Sequence, residues 1–299
     1  MTHQHTHQHT SVKRVTKALV FGIVLNALFV IIEAGAGLYT HSLSLLTDAG
    51  HNLSDVASLA LTLLANQLAQ KKPNRYFSFG YSQSTVLVSL FNAGILIFAL
   101  GAIAYEAVTR IGHPRTIEGG WVAAVAGIGI VINGLTAMMF FRDQKKDINV
   151  KAAYLHLLSD ALISLGVVIA GIVIIYTGWN WLDAVVSLLI VIIILYGTWG
   201  LLKESLRLTL NGVPAGIDLE EVKSYLTKLQ GVTDVHDLHI WAVSTTETAL
   251  TVHLVIPGEA PDDLIYSRIT DDLHHRFNIG HSTIQIEKAK GAFHCEQKC

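Results

Sequence analysis

Long apolar runs separated by short polar breaks dominate the first two thirds of the chain. They cover residues 17–39, 42–69, 81–108, 119–141, 150–177 and 181–202, and each approaches or exceeds the ~20 residues that carry an α-helix across a bilayer. The pattern predicts six membrane-spanning helices. Past Asn211 and Gly212 the texture changes to charged residues, prolines and short mixed segments, as in an ordinary soluble domain. The expected organisation is a His-rich tail (1–15), an all-α six-span membrane domain (16–210), a small C-terminal domain (211–290) and a Cys-containing tail (291–299).

Within the C-terminal region, DLEEVKSYLTKLQ at 217–229 opens with Asp218, Glu220 and Glu221, acids suited to a helix N-terminus, and ends against Gly231. VHDLHIWAV and ALTVHLVIP carry the β-branched and aromatic content of strands. PDDLIYSRITDDLHHRF has a helical period with Pro261 at its start, and STIQIEK alternates as a strand. The order helix, strand, strand, helix, strand predicts a small α/β domain.

Composition agrees with the apolar pattern: 51% of residues are hydrophobic and only 15% charged, against roughly a quarter in soluble proteins. Lys and Arg then set orientation, because cytoplasmic loops carry the excess. Lys13, Arg14 and Lys17 precede the first run, Lys71, Lys72 and Arg75 follow the second, and Arg142, Lys145, Lys146 and Lys151 follow the fourth; the opposite loops hold Arg110 and Arg115. Both termini and the C-terminal domain are thus expected in the cytoplasm. No cleavable signal peptide is expected, and the very short loops point to a cell membrane. The net charge of -2 gives no reason to expect nucleic acid as a partner. Cys295 and Cys299 fall on the reducing side, where a metal-binding pair is a better expectation than a disulfide.

Two of the runs contain an unusual polar pair: HNLSD at 51–55 and HLLSD at 156–160. Positions i and i+4 of a helix lie on one face about 6 Å apart, so His51 shares a face with Asp55, and His156 with Asp160. An ionised aspartate at mid-membrane costs about 2.5–3.5 kcal/mol on insertion scales, and such residues face a cavity or a partner. A divalent cation explains both pairs at once. Two imidazole nitrogens and two carboxylate oxygens make a tetrahedral set of the kind Zn²⁺ accepts, and the metal's +2 cancels the two aspartates. Once the metal leaves, two bare carboxylates repel each other and protons take its place, with histidine able to share in the exchange. The ligand set therefore leads to metal-for-proton exchange. A second reading stays open, a polar seam in which His and Asp hydrogen-bond across helices.

Asp48, one turn before His51, reads either as a cavity-lining group or as an N-terminal helix acid. Asn26, Glu33 and Asn133 are expected to hydrogen-bond between helices and are given no ligand role. His3, His5, His7 and His9 alternate with Gln and Thr. They could capture Zn²⁺ weakly, complete a site in trans, or form only a disordered tail.

TDAGHNLSD in the second run, HLLSD in the fifth and GVTDVHDLHIWAV at the start of the C-terminal domain, set among six spans, resemble the cation diffusion facilitator family in its zinc-transporting subgroup. The resemblance runs from about residue 15 to 290, and the paired HxxxD motifs are its most specific part. It implies a transport site at His51, Asp55, His156 and Asp160, a homodimer alternating between inward-facing and outward-facing states, and cation export or organelle loading in exchange for protons. It also implies a metallochaperone-like, ferredoxin-like C-terminal domain. Members with aspartate at the first histidine tend to handle other metals, so His51 favours Zn²⁺, with Cd²⁺ or Co²⁺ as further cargoes, in line with the softness of imidazole. Some members carry an acidic and histidine cluster between the second and third spans. QKKPNRYFSFGYSQ at 70–83 has no His, Asp or Glu, and that accessory site is expected to be absent.

In the family, metal sites of the cytoplasmic domain use the histidine of V-H-D-L, a histidine of the next strand and residues of the last strand, which here match His236, His253, His281 and Glu287. Strand alternation agrees in placing His253 opposite Leu250, Val252 and Leu254, and in placing His281 and Glu287 opposite Ile284 and Ile286. Cys295 and Cys299 are candidates for a second metal. The other reading is that domain histidines are simply solvated, and it is the preferred one for His239, His274 and His275.

The leading functional reading is a dimeric, proton-coupled Zn²⁺ antiporter in contact with lipid. A metal sensor or channel shares its ligands without coupling. An intramembrane metallohydrolase is disfavoured, because no H-E-x-x-H occurs and four protein ligands leave no position for a catalytic water. No enzymatic activity is expected.

Overall fold

The computed structural model describes residues 8–141, 148–257 and 263–289. Six long helices come first: α1 (Gln8–Thr40), α2 (Leu43–Ala69), α3 (Ser84–Gly112), α4 (Gly119–Phe140), α5 (Ile148–Thr177) and α6 (Trp181–Thr209). They are followed by α7 (Leu219–Thr227), β1 (Asp234–Ala242), β2 (Thr248–Val255), α8 (Asp263–Phe277) and β3 (His281–Glu287). The sequence pattern thus predicts element type and order throughout, and the structure adds residues at several helix ends.

Among the described residues, four helices are long and apolar enough to cross a membrane: α3, α4, α6 and Val150–Thr177 of α5. In α1 the described apolar part is the shorter Val24–Thr40, and α2 is interrupted by Asp48, His51, Asn52 and Asp55. The helices turn large apolar side chains outward; Phe98, Tyr176 and Tyr196 are 81%, 84% and 88% exposed. A protein in water does not leave such surface uncovered, whereas a helix whose backbone bonds are all internal can present it to lipid.

The chain divides into two compact units, Met1–Ala60 with Gly94–Thr198, and Leu61–Ala93 with Trp199–Cys299. In the first, Phe29, Leu45, Leu100, Val122, Ala126, Val167 and Ile190 form a buried core. Helices α4 and α5 approach closely through glycine. A Cβ on Gly119 would lie 2.5 Å from the Gly171 carbonyl oxygen, a position no side chain can occupy, as expected where membrane helices pack on small residues. The start of α2 is held by a side chain of α6. Asp183, fully buried, accepts from the Leu43 backbone N–H and the Ser42 hydroxyl, each at 2.6 Å, and from the backbone N–H of Ser44 at 3.3 Å. Four backbone N–H groups at a helix start lack internal partners, and Asp183 supplies acceptors for two of them.

In the second unit a three-stranded sheet runs in the order β1-β2-β3, with β1 antiparallel and β2 parallel to their neighbours β2 and β3 respectively. Its core is Val222 and Leu226 of α7, Leu250, Val252 and Leu254 of β2, and Ile269 and Leu273 of α8. Asp218 caps α7 by accepting from the N–H groups of Glu220 and Glu221, as its acidic start predicts. The β1/β2 register shifts between His236 and His239, and Asp237 at that bulge has φ of 53°. Such an insertion re-aims side chains at a strand edge.

Candidate metal sites

The i, i+4 spacing places His51 and Asp55 on one face of α2, and His156 and Asp160 on one face of α5. In the fold the two faces meet. His51 Nε2 lies 3.6 Å from Asp55 Oδ2 and 3.6 Å from Asp160 Oδ1. His156 Nε2 lies 3.1 Å from Asp55 Oδ2 and 3.6 Å from Asp160 Oδ2. Each carboxylate therefore faces both imidazoles, whose centroids are 5.9 Å apart and nearly perpendicular. Ligand atoms of His51, His156 and Asp160 all lie within 4.8 Å of one another, and Asp55 closes the fourth side.

These separations bear on both readings of the motif. Hydrogen bonds between such groups fall near 2.7–3.2 Å, and most of these contacts are longer. Asp55 Oδ2 and both oxygens of Asp160 are buried with no hydrogen-bond partner. Four ligands about 2.0–2.1 Å from a zinc ion stand about 3.3–3.4 Å apart along a tetrahedron's edges, which falls within the 3.1–3.6 Å spread observed. His51, His156 and Asp160 thus stand close enough together to hold a metal ion, with Asp55 beside them. Exposure is one-sided: the His156 side chain is 47% exposed and Asp160 only 1%.

Beside this quartet the expected helix-to-helix pairing of polar residues largely fails. Both side-chain polar atoms of Asn133, Oδ1 of Asn26 and Oε1 of Glu33 are buried without a hydrogen-bond partner, and among the described residues Glu33 bonds across helices to Asn52. Asp48 lies past the first turn of α2 and is fully buried, accepting from Ser164 at 2.9 Å.

In the C-terminal domain the antiparallel register pairs His236 with His253 and so puts both on one face. The parallel register sets Glu287 two residues along β3 from the partner of His253. His253 Nδ1 is 3.0 Å and His236 Nε2 3.5 Å from the Glu287 carboxylate, and the three form a second cluster with metal-ligand spacing. Alternation correctly gives the face of Glu287 but not its burial. The side chain is sealed under the two rings, with Oε2 unpartnered. A carboxylate in that position needs a cation to complete its charge, so the residues fit a bound metal. Asp237, which sequence reading passes over, reaches His253 Nε2 at 3.4 Å from the bulge, the arrangement by which a carboxylate orients a metal-binding histidine.

His281 is not brought to this cluster. It opens β3, six residues and about 20 Å of extended strand from Glu287, and its ring meets Phe79 at 5.9 Å. His239 pairs with Asp237 at 3.0 Å, while His274 and His275 stand exposed in the last turn of α8. His3, His5, His7, Cys295 and Cys299 lie outside the described residues, as does the side chain of His9.

Comparison with known proteins bears on both units. The cation efflux transmembrane domain matches residues 19–209, and the cytoplasmic domain of cation efflux proteins matches residues 214–289. The chain is 37% identical over 294 residues to the cation efflux system protein CzcD of Alcaligenes sp. (strain CT14), covering 98% of this chain and 91% of that one. It is 35% identical over 288 residues to the cadmium, cobalt and zinc/H(+)-K(+) antiporter of Bacillus subtilis (95% and 91% covered), and 34% identical over 288 residues to the zinc transporter ZitB of Escherichia coli (96% and 92% covered). With outward-facing apolar helices around an inward-facing donor set, and with both domains matched in order, the chain belongs to the cation efflux, or cation diffusion facilitator, family of metal transporters.

Proposed function

We propose that this chain is a Zn²⁺ exporter, also accepting Cd²⁺ or Co²⁺, that exchanges the metal for protons at His51, Asp55, His156 and Asp160. The observation that carries the reading is the convergence of two imidazoles and two carboxylates from α2 and α5 at separations of 3.1–3.6 Å, which match a tetrahedral zinc site and cancel its charge. Bound zinc makes the quartet neutral in a medium that penalises net charge. When zinc leaves, the repulsion of the two carboxylates draws protons in, and these carry the return half of the cycle. Relatives named as a zinc transporter and as a cadmium, cobalt and zinc/H(+)-K(+) antiporter support both cargo and exchange.

In this reading all six long helices span the bilayer of the cell membrane, with both termini in the cytoplasm, and the chain works as a homodimer by alternating access. The C-terminal domain, with the ferredoxin-like arrangement of a metallochaperone, holds a resident Zn²⁺ on His236, His253 and Glu287. When bound, this metal supplies charge that ties β1, β2 and β3 together; Asp237 orients His253 from behind. Cys295, Cys299 and the N-terminal histidines contribute further metal capture on the same side.

The test is zinc flux in sealed vesicles containing the full chain. An acidic interior should drive zinc accumulation against its gradient while the interior becomes more alkaline. Zinc movement without proton movement would contradict the exchange and point to a channel.

A further inference from the structure

Helices α1, α2 and α5 gather a second donor set beside the quartet. Glu33, Asp48, Asn52 and Ser164 are all completely buried. Asn52 Nδ2 donates to Glu33 Oε2 at 3.4 Å and to Asp48 Oδ1 at 3.5 Å, and the Ser164 hydroxyl donates to Asp48 Oδ2. Asn52 thus joins the two carboxyls, yet Glu33 Oε1 and Asn52 Oδ1 have no hydrogen-bond partner. Two carboxyl groups inside a low-dielectric body, met by one amide and one hydroxyl, leave buried oxygen donors uncompensated.

We propose that Glu33, Asp48, Asn52 and Ser164 form a second intramembrane site, for a hard metal cation of the alkali or alkaline-earth class. Every donor here is oxygen, a set suited to hard ions, whereas the quartet's two imidazoles suit zinc. The two sites share helices: Asp48 and Asn52 bracket His51 on α2, and Ser164 follows Asp160 by one turn of α5. Cations that close repel each other, so filling one site weakens the other. That opposition is what a counter-ion site requires; this role, unlike the site itself, rests on the quartet carrying the cargo.

The experiment is thermal unfolding of the purified full chain in detergent, with K⁺, Na⁺, Mg²⁺ or Ca²⁺ added singly to a background of a large organic cation. A ligand that binds only the folded state raises the midpoint with concentration. At least one of the four ions should raise the wild-type midpoint saturably. Glu33→Gln, which keeps side-chain shape, and Ser164→Ala, on the opposite helix, should abolish the shift, while Asp55→Ala, made in a chain whose C-terminal cluster is removed by Glu287→Gln and His253→Ala, keeps it and loses the shift given by zinc. The same ion should weaken zinc binding about tenfold in wild type, within the usual range of coupling between sites, and leave it unchanged in Glu33→Gln. No midpoint shift with any of the four ions overturns the site, as does a shift that survives Glu33→Gln. In that Glu287→Gln, His253→Ala chain, no zinc shift at all, or a zinc shift that survives Asp55→Ala, would instead count against the quartet, leaving the hard-cation result to stand on its own.

Discussion

Asp160 and Asp55 differ in surroundings although they occupy equivalent motif positions: one is 1% and the other 32% exposed. In the proposed transport site, replacing either removes a ligand and half the charge that cancels zinc, and Asp55→Ala should lower zinc affinity at the quartet by at least about 100-fold and abolish uptake into vesicles while the purified chain keeps its helical circular dichroism. His51→Asp exchanges a nitrogen donor for a hard oxygen, so competition assays should show preference moving from Zn²⁺ towards Mn²⁺; unchanged preference would remove His51 from the ligand set. In the C-terminal domain Glu287→Gln should reduce bound zinc by one ion per chain in elemental analysis without stopping transport outright. The HxxxD pairs make the quartet legible in sequence because each pair is local, one helical turn. The Glu33–Asp48–Asn52–Ser164 cluster is not legible, since its members come from three helices and share no spacing. His281 shows the converse error. Alternation assigns a residue to a face of a strand but does not say where along it a site lies.

Among the elements, α2 carries half the quartet and its start is fixed by Asp183, an acid at the first turn of α6 that sequence reading leaves unremarked because its partners are 140 residues away. Asp183→Ala removes the acceptor for Leu43 and Ser44 and leaves two buried hydroxyls without their partner. The expected result is a loss of about 2 kcal/mol or more, read as a lower unfolding midpoint in detergent, with weaker zinc binding because α2 positions His51. An unchanged midpoint would show that α2 is held by packing alone. The α4–α5 contact makes a sharper forecast. Gly171→Val places branched carbons where the Gly119 carbonyl stands at 2.8 Å, and the protein should fail to accumulate in the membrane. Element order and type follow from apolar run length and strand alternation, which depend on neighbours in sequence. The β1 bulge at Asp237, which aims that carboxylate at His253, depends on cross-strand register and so escapes a one-dimensional reading.

At the scale of the whole molecule, the account joins a lipid-facing exterior to a charge-neutral metal site within it. The most direct measurement is zinc K-edge X-ray absorption on the purified protein carrying Glu287→Gln, His253→Ala, Cys295→Ser and Cys299→Ser and lacking residues 1–9, so that no cytoplasmic group competes for metal. The account predicts one zinc per chain with about four nitrogen and oxygen neighbours at about 2.0–2.1 Å, outer-shell scattering from two imidazoles, and loss of that zinc when Asp160→Ala is added. Sulfur neighbours, fewer than two imidazoles, or a zinc signal that survives Asp160→Ala would contradict it.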